Sequence, residues 1–215
     1  DESRVRAAAD ALGGPDHALG VAGDLADPGT ATRLVAAALA RWERLDGALI
    51  SVGGPPPGTV LEVSDEAWRA AFEQVFLGAV RTARAVATAL GDTGGSIAFV
   101  LSSSVRSPIP RLALSNGLRP GLAMAAKTLA DELGPRGIRV NGLLPGRIDT
   151  ERTRELDAAT GRAGAARRDN EAAVPLGRYG QPEEFGRVAA FLLSPAASYL
   201  SGIMLPVDGG ALRTL

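Results

Sequence analysis

The residues of this sequence that could do chemistry are mainly hydroxyls and arginines. Ser102, Ser103 and Ser104 stand in a row after an apolar segment, and Ser115 lies four residues before Arg119. Residues spaced (i, i+4) share one face of a helix, so a helix here would place the Ser115 hydroxyl beside the Arg119 guanidinium. A serine hydroxyl can donate a hydrogen bond to a substrate carbonyl, and an arginine supplies a permanent positive charge.

Other catalytic groups are scarce. The 215 residues include no cysteine, which excludes a disulfide scaffold, a thiolate zinc site and a cysteine nucleophile. His17 is the only histidine, so most imidazole metal sites are excluded, and so is any Ser-His-Asp triad that does not use it. No metal site is therefore expected, and we expect His17, beside a turn, to be solvated. The only lysine, Lys127, lies two helical turns beyond Arg119, where we expect a solvated or subunit-facing surface.

The composition indicates a soluble, cytoplasmic α/β protein. Basic and acidic residues number 23 and 24, giving a net charge of −1, which argues against nucleic acid or anionic membrane as the main partner. The sequence shows neither a secretory apolar segment nor an apolar run of about 18 residues. Its length suits one domain, residues 1–215.

Predicted strands alternate with predicted helices, which favours a three-layer, doubly wound parallel sheet. The strands are predicted at Gly20–Leu25, Leu45–Val52, Ser96–Leu101, Ile138–Leu144 and Gly202–Val207. The helices are predicted at Asp1–Leu12, Asp27–Trp42, Ser64–Leu90, Asn116–Leu133 and Pro182–Leu193, with a helical flap over Asp149–Ala173. Ligands of such sheets bind beyond the carboxyl ends of the strands. Asp24, Gly53, Ser102 and Pro145 each follow a strand, so we expect them along one rim.

Five motifs in register resemble the short-chain dehydrogenase/reductase family over essentially the whole chain. They are Asp24-Leu25, Gly53-Gly54, the serine cluster, Asn141 with Pro145-Gly146, and Gly202 with Val207-Asp208-Gly209-Gly210. The GGPPPG loop at 53–58 and the Ser-Asn-x-Leu-Arg segment at 115–119 look like the atypical members described as 3-oxoacyl-carrier-protein-reductase-like. The resemblance implies a Rossmann-like fold that binds NAD or NADP and a small carbonyl or alcohol substrate.

The resemblance also implies which residues contact the cofactor. They are Asp24, Leu25, Ser51, Gly53, Arg119, Pro145, Gly146, Ile148 and Thr150. Asp24 and Leu25 would meet the adenine ring, and Gly53 would let the backbone approach the adenosine ribose. The nicotinamide and pyrophosphate would be bordered by Pro145, Gly146, Ile148 and Thr150. An ordinary rigid loop is the other interpretation of residues 53–58.

The catalytic positions depart from the family pattern. By the family's spacing, its Tyr falls at Ser115, its Lys at Arg119 and its assisting Asn at Val75. An aliphatic hydroxyl is a far weaker acid than a phenol, and Tyr179 and Tyr199 lie in the wrong segments to replace one.

The remaining catalytic candidates are open to two interpretations. The assisting serine is either Ser102 or Ser104, which makes the candidate catalytic set Ser102, Ser104, Ser115 and Arg119. In the other interpretation, Ser115 and Asn116 only cap or precede the helix.

The start of the chain also departs from the family pattern. The family begins with a strand, a Gly-x-x-x-Gly-x-Gly loop, a helix and a second strand, and residues 1–4 correspond to the helix that follows them. The two strands would lie between Gly20–Leu25 and Leu45–Val52, so their absence opens the sheet at its centre. We therefore expect a truncated form of a longer protein, which an intact-mass measurement on a folded sample tests.

Two functions are compatible with these features. The first is an atypical NAD(P)-linked oxidoreductase, 3-oxoacyl-carrier-protein-reductase-like, that reduces a carbonyl or oxidises an alcohol. The second is a catalytically silent member that binds a dinucleotide or a partner subunit. By resemblance, a homodimer or homotetramer would form through the helices at 64–90 and 116–133.

Overall fold

Four apolar segments pair as parallel strands in the order in which they occur in the chain. In the computed structural model, which describes residues 1–214, they are β1 Gly47–Ser51, β2 Gly95–Val100, β3 Ile138–Pro145 and β4 Met204–Val207. These four strands were predicted from the sequence to within two residues at each end. Within the described residues, β1 has a strand partner on one side only.

Helices cover both faces of the sheet. They are α1 Glu2–Ala11, α2 Thr30–Trp42, α3 Asp65–Ala71, α4 Gly78–Leu90, α5 Ala113–Leu133, α6 Glu151–Ala158, α7 Ala163–Ala172 and α8 Pro182–Leu193. Side chains alternate along β3, as the pleat of a strand requires. Val140 and Leu144 face the main core with α4 and α5, whereas Leu143 packs with α8 on the other face. The predicted three-layer, Rossmann-like α/β fold is confirmed.

The strand predicted at Gly20–Leu25 is wrong. This segment has no strand hydrogen bonds, and it ends in a turn in which the Asp24 carboxylate accepts the Ala26 N–H at 2.9 Å. A strand needs an extended neighbouring backbone to pair with, and within residues 1–214 no strand pairs with this segment. An apolar pattern shows that a segment can be extended, but it does not supply that neighbour.

The predicted helix at Ser64–Leu90 contains a change of pitch. Ser64 caps it by accepting the Ala67 N–H, and α3 runs into α4 through a π-helical turn at Phe72–Leu77. Val75, at the position of the family's assisting Asn, lies in this turn and is fully buried. An apolar side chain at this point can pack in the core but cannot hold a water molecule.

Helix α5 begins at Ala113, three residues earlier than predicted. Ser115 therefore lies within the helix, which removes the interpretation of Ser115 and Asn116 as caps. Pro120 lies in the helix interior rather than in its first turn. The Asn116 side chain instead fixes the preceding loop, because it accepts the Ile109 N–H at 3.0 Å and donates to the Ile109 carbonyl at 2.9 Å.

The polar stretch predicted as a helical flap forms α6 and α7.

Within residues 1–214, no helix has the length and apolar character needed to cross a bilayer. Lys127 and His17 are exposed, as expected from the sequence.

Candidate active site

The serine cluster follows β2 and separates into two environments. A 3-10 turn at Ser103–Val105 lets the Ser102 hydroxyl oxygen accept the Ser104 N–H at 3.1 Å. The turn points Ser104 inward, where it is buried and its hydroxyl lies 3.1 Å from the Ser115 hydroxyl of α5. Ser102 remains half-exposed. The structure thus brings Ser104 and Ser115 together and places Ser102 apart from them.

Arg119 lies one turn beyond Ser115 and connects the carboxyl ends of two strands. Its guanidinium donates to the Val100 carbonyl at 2.7 Å, to the Val52 carbonyl at 3.3 Å and to the Gly53 carbonyl at 3.4 Å. The side chain is 5% exposed, and burial lowers the pKa of Arg119 to about 10, so the group keeps its charge at neutral pH. Its positive charge is directed at backbone carbonyls of the rim.

A cavity of about 500 Å³ opens beside Ser102 at the carboxyl end of the sheet. Pro145 and Gly146 line it below, and the segment Ser107–Pro110 forms one wall. Helices α6 and α7 form the opposite wall through Thr153, Leu156 and Asn170, among others. Its volume is that of a small-molecule site. Of the four catalytic candidates, Ser102 is the one that lines this cavity, while Ser104, Ser115 and Arg119 lie outside its lining.

The segment that follows β3 is held by its neighbours. Gly146 donates its N–H to the Val207 carbonyl at 3.0 Å, and a Cβ at position 146 would lie 2.6 Å from the Asp208 Cβ. Ile148 forms an isolated parallel bridge with Gly180. Thr150 caps α6 by accepting the Thr153 N–H at 3.4 Å. Glycine at position 146 is therefore required by the close approach of β4's end.

Of the residues expected on the adenine side, Ser51 and Gly53 lie at the carboxyl end of β1, whereas Asp24 follows no strand and its expected place on the rim is not met. Asp24, Ser51 and Gly53 are exposed, and a Cβ at position 53 would have open space around it. Leu25 packs against the core, with its backbone close to Gly78 of α4. The carboxyl end of β1 offers room for a planar group.

Asn141, part of the resemblance, holds two elements together. It is fully buried in β3, its side chain donates to the Leu200 carbonyl at 2.8 Å, and it accepts the Ile203 N–H at 3.1 Å. Both hydrogen bonds fix the segment that leads into β4.

A nicotinamide dinucleotide fits part of this rim. By the family resemblance, Pro145, Gly146, Ile148 and Thr150 would hold its nicotinamide end and Gly53 would hold its adenosine end. The sequence contains no Gly-x-x-x-Gly-x-Gly segment to bind the diphosphate through backbone N–H groups. The residues present thus match the two ends of such a cofactor better than its middle.

A polar cluster that was not predicted from the sequence lies beside the cavity. Asp157 of α6 is buried, accepts the Tyr179 hydroxyl at 2.9 Å and accepts the Asn170 amide at 3.1 Å. The Arg147 guanidinium lies 3.8 Å from Asp157 and donates to the Asn170 side chain at 3.3 Å. Burial is the main cause that raises the pKa of Tyr179, so the phenol stays protonated. Arg147 could have been identified from its place directly after Pro145-Gly146, whereas Asp157 and Tyr179 carry no sequence signal.

A larger cavity, of about 1030 Å³, lies at the opposite, amino-terminal ends of the strands. Its charged groups already have partners, since Arg44 pairs with Asp46 and Arg139 donates to carbonyls at the end of α8. In residues 1–214, no cluster of three or more His, Cys, Asp or Glu side chains could hold a metal ion. The rim at the carboxyl ends is therefore the candidate site.

Comparison with known proteins gives matches along the whole chain. Residues 1–211 match the model of the family described as enoyl-(acyl carrier protein) reductase. An uncharacterized oxidoreductase of Mycobacterium tuberculosis is 34% identical over 183 residues, which cover 84% of this chain and 68% of that protein.

Two solved structures are similar throughout. The L-sorbose reductase of Gluconobacter frateurii, complexed with NADPH and L-sorbose, superposes with a TM-score of 0.89 at 28% identity, covering 99% of this chain and 83% of that one. A short-chain oxidoreductase of Pseudomonas aeruginosa, described as containing an atypical catalytic center, gives a TM-score of 0.87 at 28% identity and covers 100% and 86%.

Proposed function

Because the chain belongs to the short-chain dehydrogenase/reductase family, we propose that it is an NAD(P)-linked oxidoreductase that reduces a carbonyl compound or oxidises the corresponding alcohol. The observation that carries the proposal is the Ser102 hydroxyl, which lines the cavity together with Pro145 and Gly146. A similar reductase was crystallised with NADPH and a sugar substrate.

Ser102 is suited to polarise a carbonyl. Its oxygen accepts the Ser104 N–H, which leaves the hydroxyl proton to be donated into the cavity. Such a donor stabilises the negative charge that develops on a carbonyl oxygen when hydride adds to its carbon. A bound nicotinamide dinucleotide would supply or accept that hydride.

The Ser104 and Ser115 hydroxyls lie outside the lining of the cavity. The Ser104–Ser115 pair lies next to Arg119, whose charge is directed at the strand ends. Without a phenol at position 115, the proton for the product alcohol would come from water in the cavity. We therefore expect slow turnover, with a pH profile that lacks the ionisation of a catalytic tyrosine.

Finer features of the function are part of the proposal. We propose a 3-oxoacyl-carrier-protein-reductase-like reaction, a cytoplasmic location, and a homodimer or homotetramer formed through the surfaces of residues 64–90 and 116–133. Phe72 and Met124, which lie in these segments, are exposed. Sedimentation at micromolar concentration tests the assembly, and a monomer would contradict it.

A silent, dinucleotide-binding or subunit-binding protein is the second candidate. The engagement of Arg119 with three carbonyls favours it, because a guanidinium so placed has little left for a cofactor ribose. The double variant S115Y/R119K tests this function, since NAD(P)H oxidation that appears only in the variant would exclude catalysis by the unchanged protein.

Ser102 and Ser103, which both line the cavity, offer the sharpest test of catalysis. Oxidation of NADH and NADPH is followed with a panel of small ketones for the unchanged protein, S102A and S103A. We expect S102A to lower kcat/KM by about a hundredfold, and S103A, which lines the same cavity, to change it little. Equal rates for all three proteins would refute the role of Ser102.

A further inference from the structure

We infer that Arg147 binds a carboxylate of the substrate, so that the cavity beside Ser102 selects small keto acids or hydroxy acids over neutral ketones and alcohols. This inference rests on the proposed function, because it assigns a substrate class to that same site.

The charge of the cavity wall is the first argument. Among the described residues that line the 500 Å³ cavity, Arg147 is the only charged one. The rest of the lining is mainly apolar, with hydroxyls and one amide, and much of the apolar surface comes from prolines and aliphatic side chains such as Ile109 and Leu156. The carboxylate that pairs with Arg147, Asp157, lies outside this lining. A cation at an apolar wall attracts an anion more strongly than the same cation in water.

The hydrogen bonding of Arg147 leaves donors for a ligand. In the described structure its side chain makes one hydrogen bond, to the Asn170 oxygen at 3.3 Å. Asp157 lies 3.8 Å away, but its two oxygens already accept the Tyr179 hydroxyl and the Asn170 amide. The Arg147 side chain is about one-third exposed. A planar fork with unused N–H groups matches a carboxylate in two-point contact.

The position of Arg147 suits a substrate that also reaches Ser102. Both residues line one cavity, and a sphere of 500 Å³ is about 10 Å across, the size of a small organic molecule. The backbone of Arg147 is fixed, because its carbonyl accepts the Gly180 N–H at 2.9 Å and it directly follows Gly146 at the end of β3. A keto acid could place its carbonyl at Ser102 and its carboxylate at Arg147.

Binding is measured first, without cofactor, so that the result does not depend on turnover. The 2-, 3- and 4-oxohexanoates and their methyl esters are titrated calorimetrically into the unchanged protein, R147Q, R147K and R69Q. Arg69 is a matched control, since it is exposed and pairs only with neighbours on its own helix. We expect at least one acid to bind about tenfold to a hundredfold more tightly than its ester. R147Q should remove this preference, R147K should keep part of it, and R69Q should keep all of it.

Three results would overturn the inference. They are equal binding of acids and esters, no binding of any acid at millimolar concentration, and an equal weakening of acid and ester by R147Q. The last result, with a lowered melting temperature, would assign Arg147 only to the packing of α6 and α7.

Oxidation of NAD(P)H by the same compounds separates this inference from the proposed function. An acid preference in binding with no oxidation of either nicotinamide would support the carboxylate site and contradict the oxidoreductase. Oxidation that is equal for acids and esters, with equal binding, would support the oxidoreductase and contradict the carboxylate site.

Discussion

Replacing Arg119 with methionine should destabilise the protein by about 3 kcal/mol. The guanidinium donates to three carbonyls at the ends of β1 and β2, and charge-assisted bonds contribute about 2 kcal/mol each. These values are net of the desolvation penalty, the same penalty that lowers the pKa of Arg119 to about 10. The bonds to Val52 and Gly53 are long, at 3.3 and 3.4 Å, so we count about 3 kcal/mol for the three together, and R119M loses it.

The pH dependence of this effect has a definite sign. The folded-state pKa of Arg119 lies below its unfolded value, so the charged form is present in both states at neutral pH and the penalty is constant there. The penalty is relieved only when the pH rises through about 10. The stability difference between R119M and the unchanged protein should therefore be the same at pH 6 and pH 8.

Urea unfolding followed by far-ultraviolet circular dichroism measures the difference. R69M is the control, because Arg69 is an exposed arginine whose replacement should change the free energy of unfolding by no more than about 0.5 kcal/mol. R119K should recover only part of the loss, since an ammonium lacks the planar fork that reaches three carbonyls. A loss for R119M below about 1 kcal/mol, or one that changes between pH 6 and 8, would refute this account of Arg119.

Two further predictions concern the ends of β3 and α8. G146A should lower the free energy of unfolding by about 1–3 kcal/mol, because the added Cβ would lie 2.6 Å from the Asp208 Cβ. G186A in α8 should instead raise the free energy of unfolding by about 0.5–1 kcal/mol, because a Cβ there meets nothing within 4 Å. Equal urea midpoints for the two variants and the unchanged protein would contradict both expectations. The hydrogen bonds that Glu184 accepts, first from Arg178 and then from the Gln181 N–H, lower the pKa of Glu184 to about 2. The ionised carboxylate therefore stabilises the start of α8 at neutral pH, and this stabilisation is lost as the pH falls from 4.5 toward 2. A carboxyl NMR titration should give a midpoint near 2 that rises in R178Q, and an unchanged midpoint in that variant would contradict the assignment.

The sequence predicts those parts of the fold that depend on local pattern. The paired strands between Gly47 and Val207 are predictable because they are apolar segments bounded by glycine and proline. The N-cap at Ser64 is predictable because a serine precedes an acidic first turn. The strand predicted at Gly20–Leu25 is wrong because strand pairing needs two segments, and the apolar pattern describes only one of them. The π turn at Phe72–Leu77, which packs against α5, was not predicted because its residue types are equally compatible with an α-helix.

The candidate site is less predictable than the fold. Spacing brings Ser115 and Arg119 to one helix face, but only the three-dimensional structure shows which carbonyls Arg119 meets. The choice between Ser102 and Ser104 depends on a 3-10 turn that buries Ser104 and leaves Ser102 half-exposed. Their roles, and those of the cofactor-contacting residues from Asp24 to Thr150, stay predictions.

The two sides of the cavity are held in different ways. The side at Pro108–Pro110 contains two prolines and is fixed by the paired hydrogen bonds of Asn116 to Ile109. The side formed by α6 and α7 is held by side chains, because the buried Asp157 accepts the Tyr179 hydroxyl and the Asn170 amide. A prochiral ketone between two fixed sides would be restricted in how it turns. We therefore expect the cavity to discriminate between the two faces of such a carbonyl.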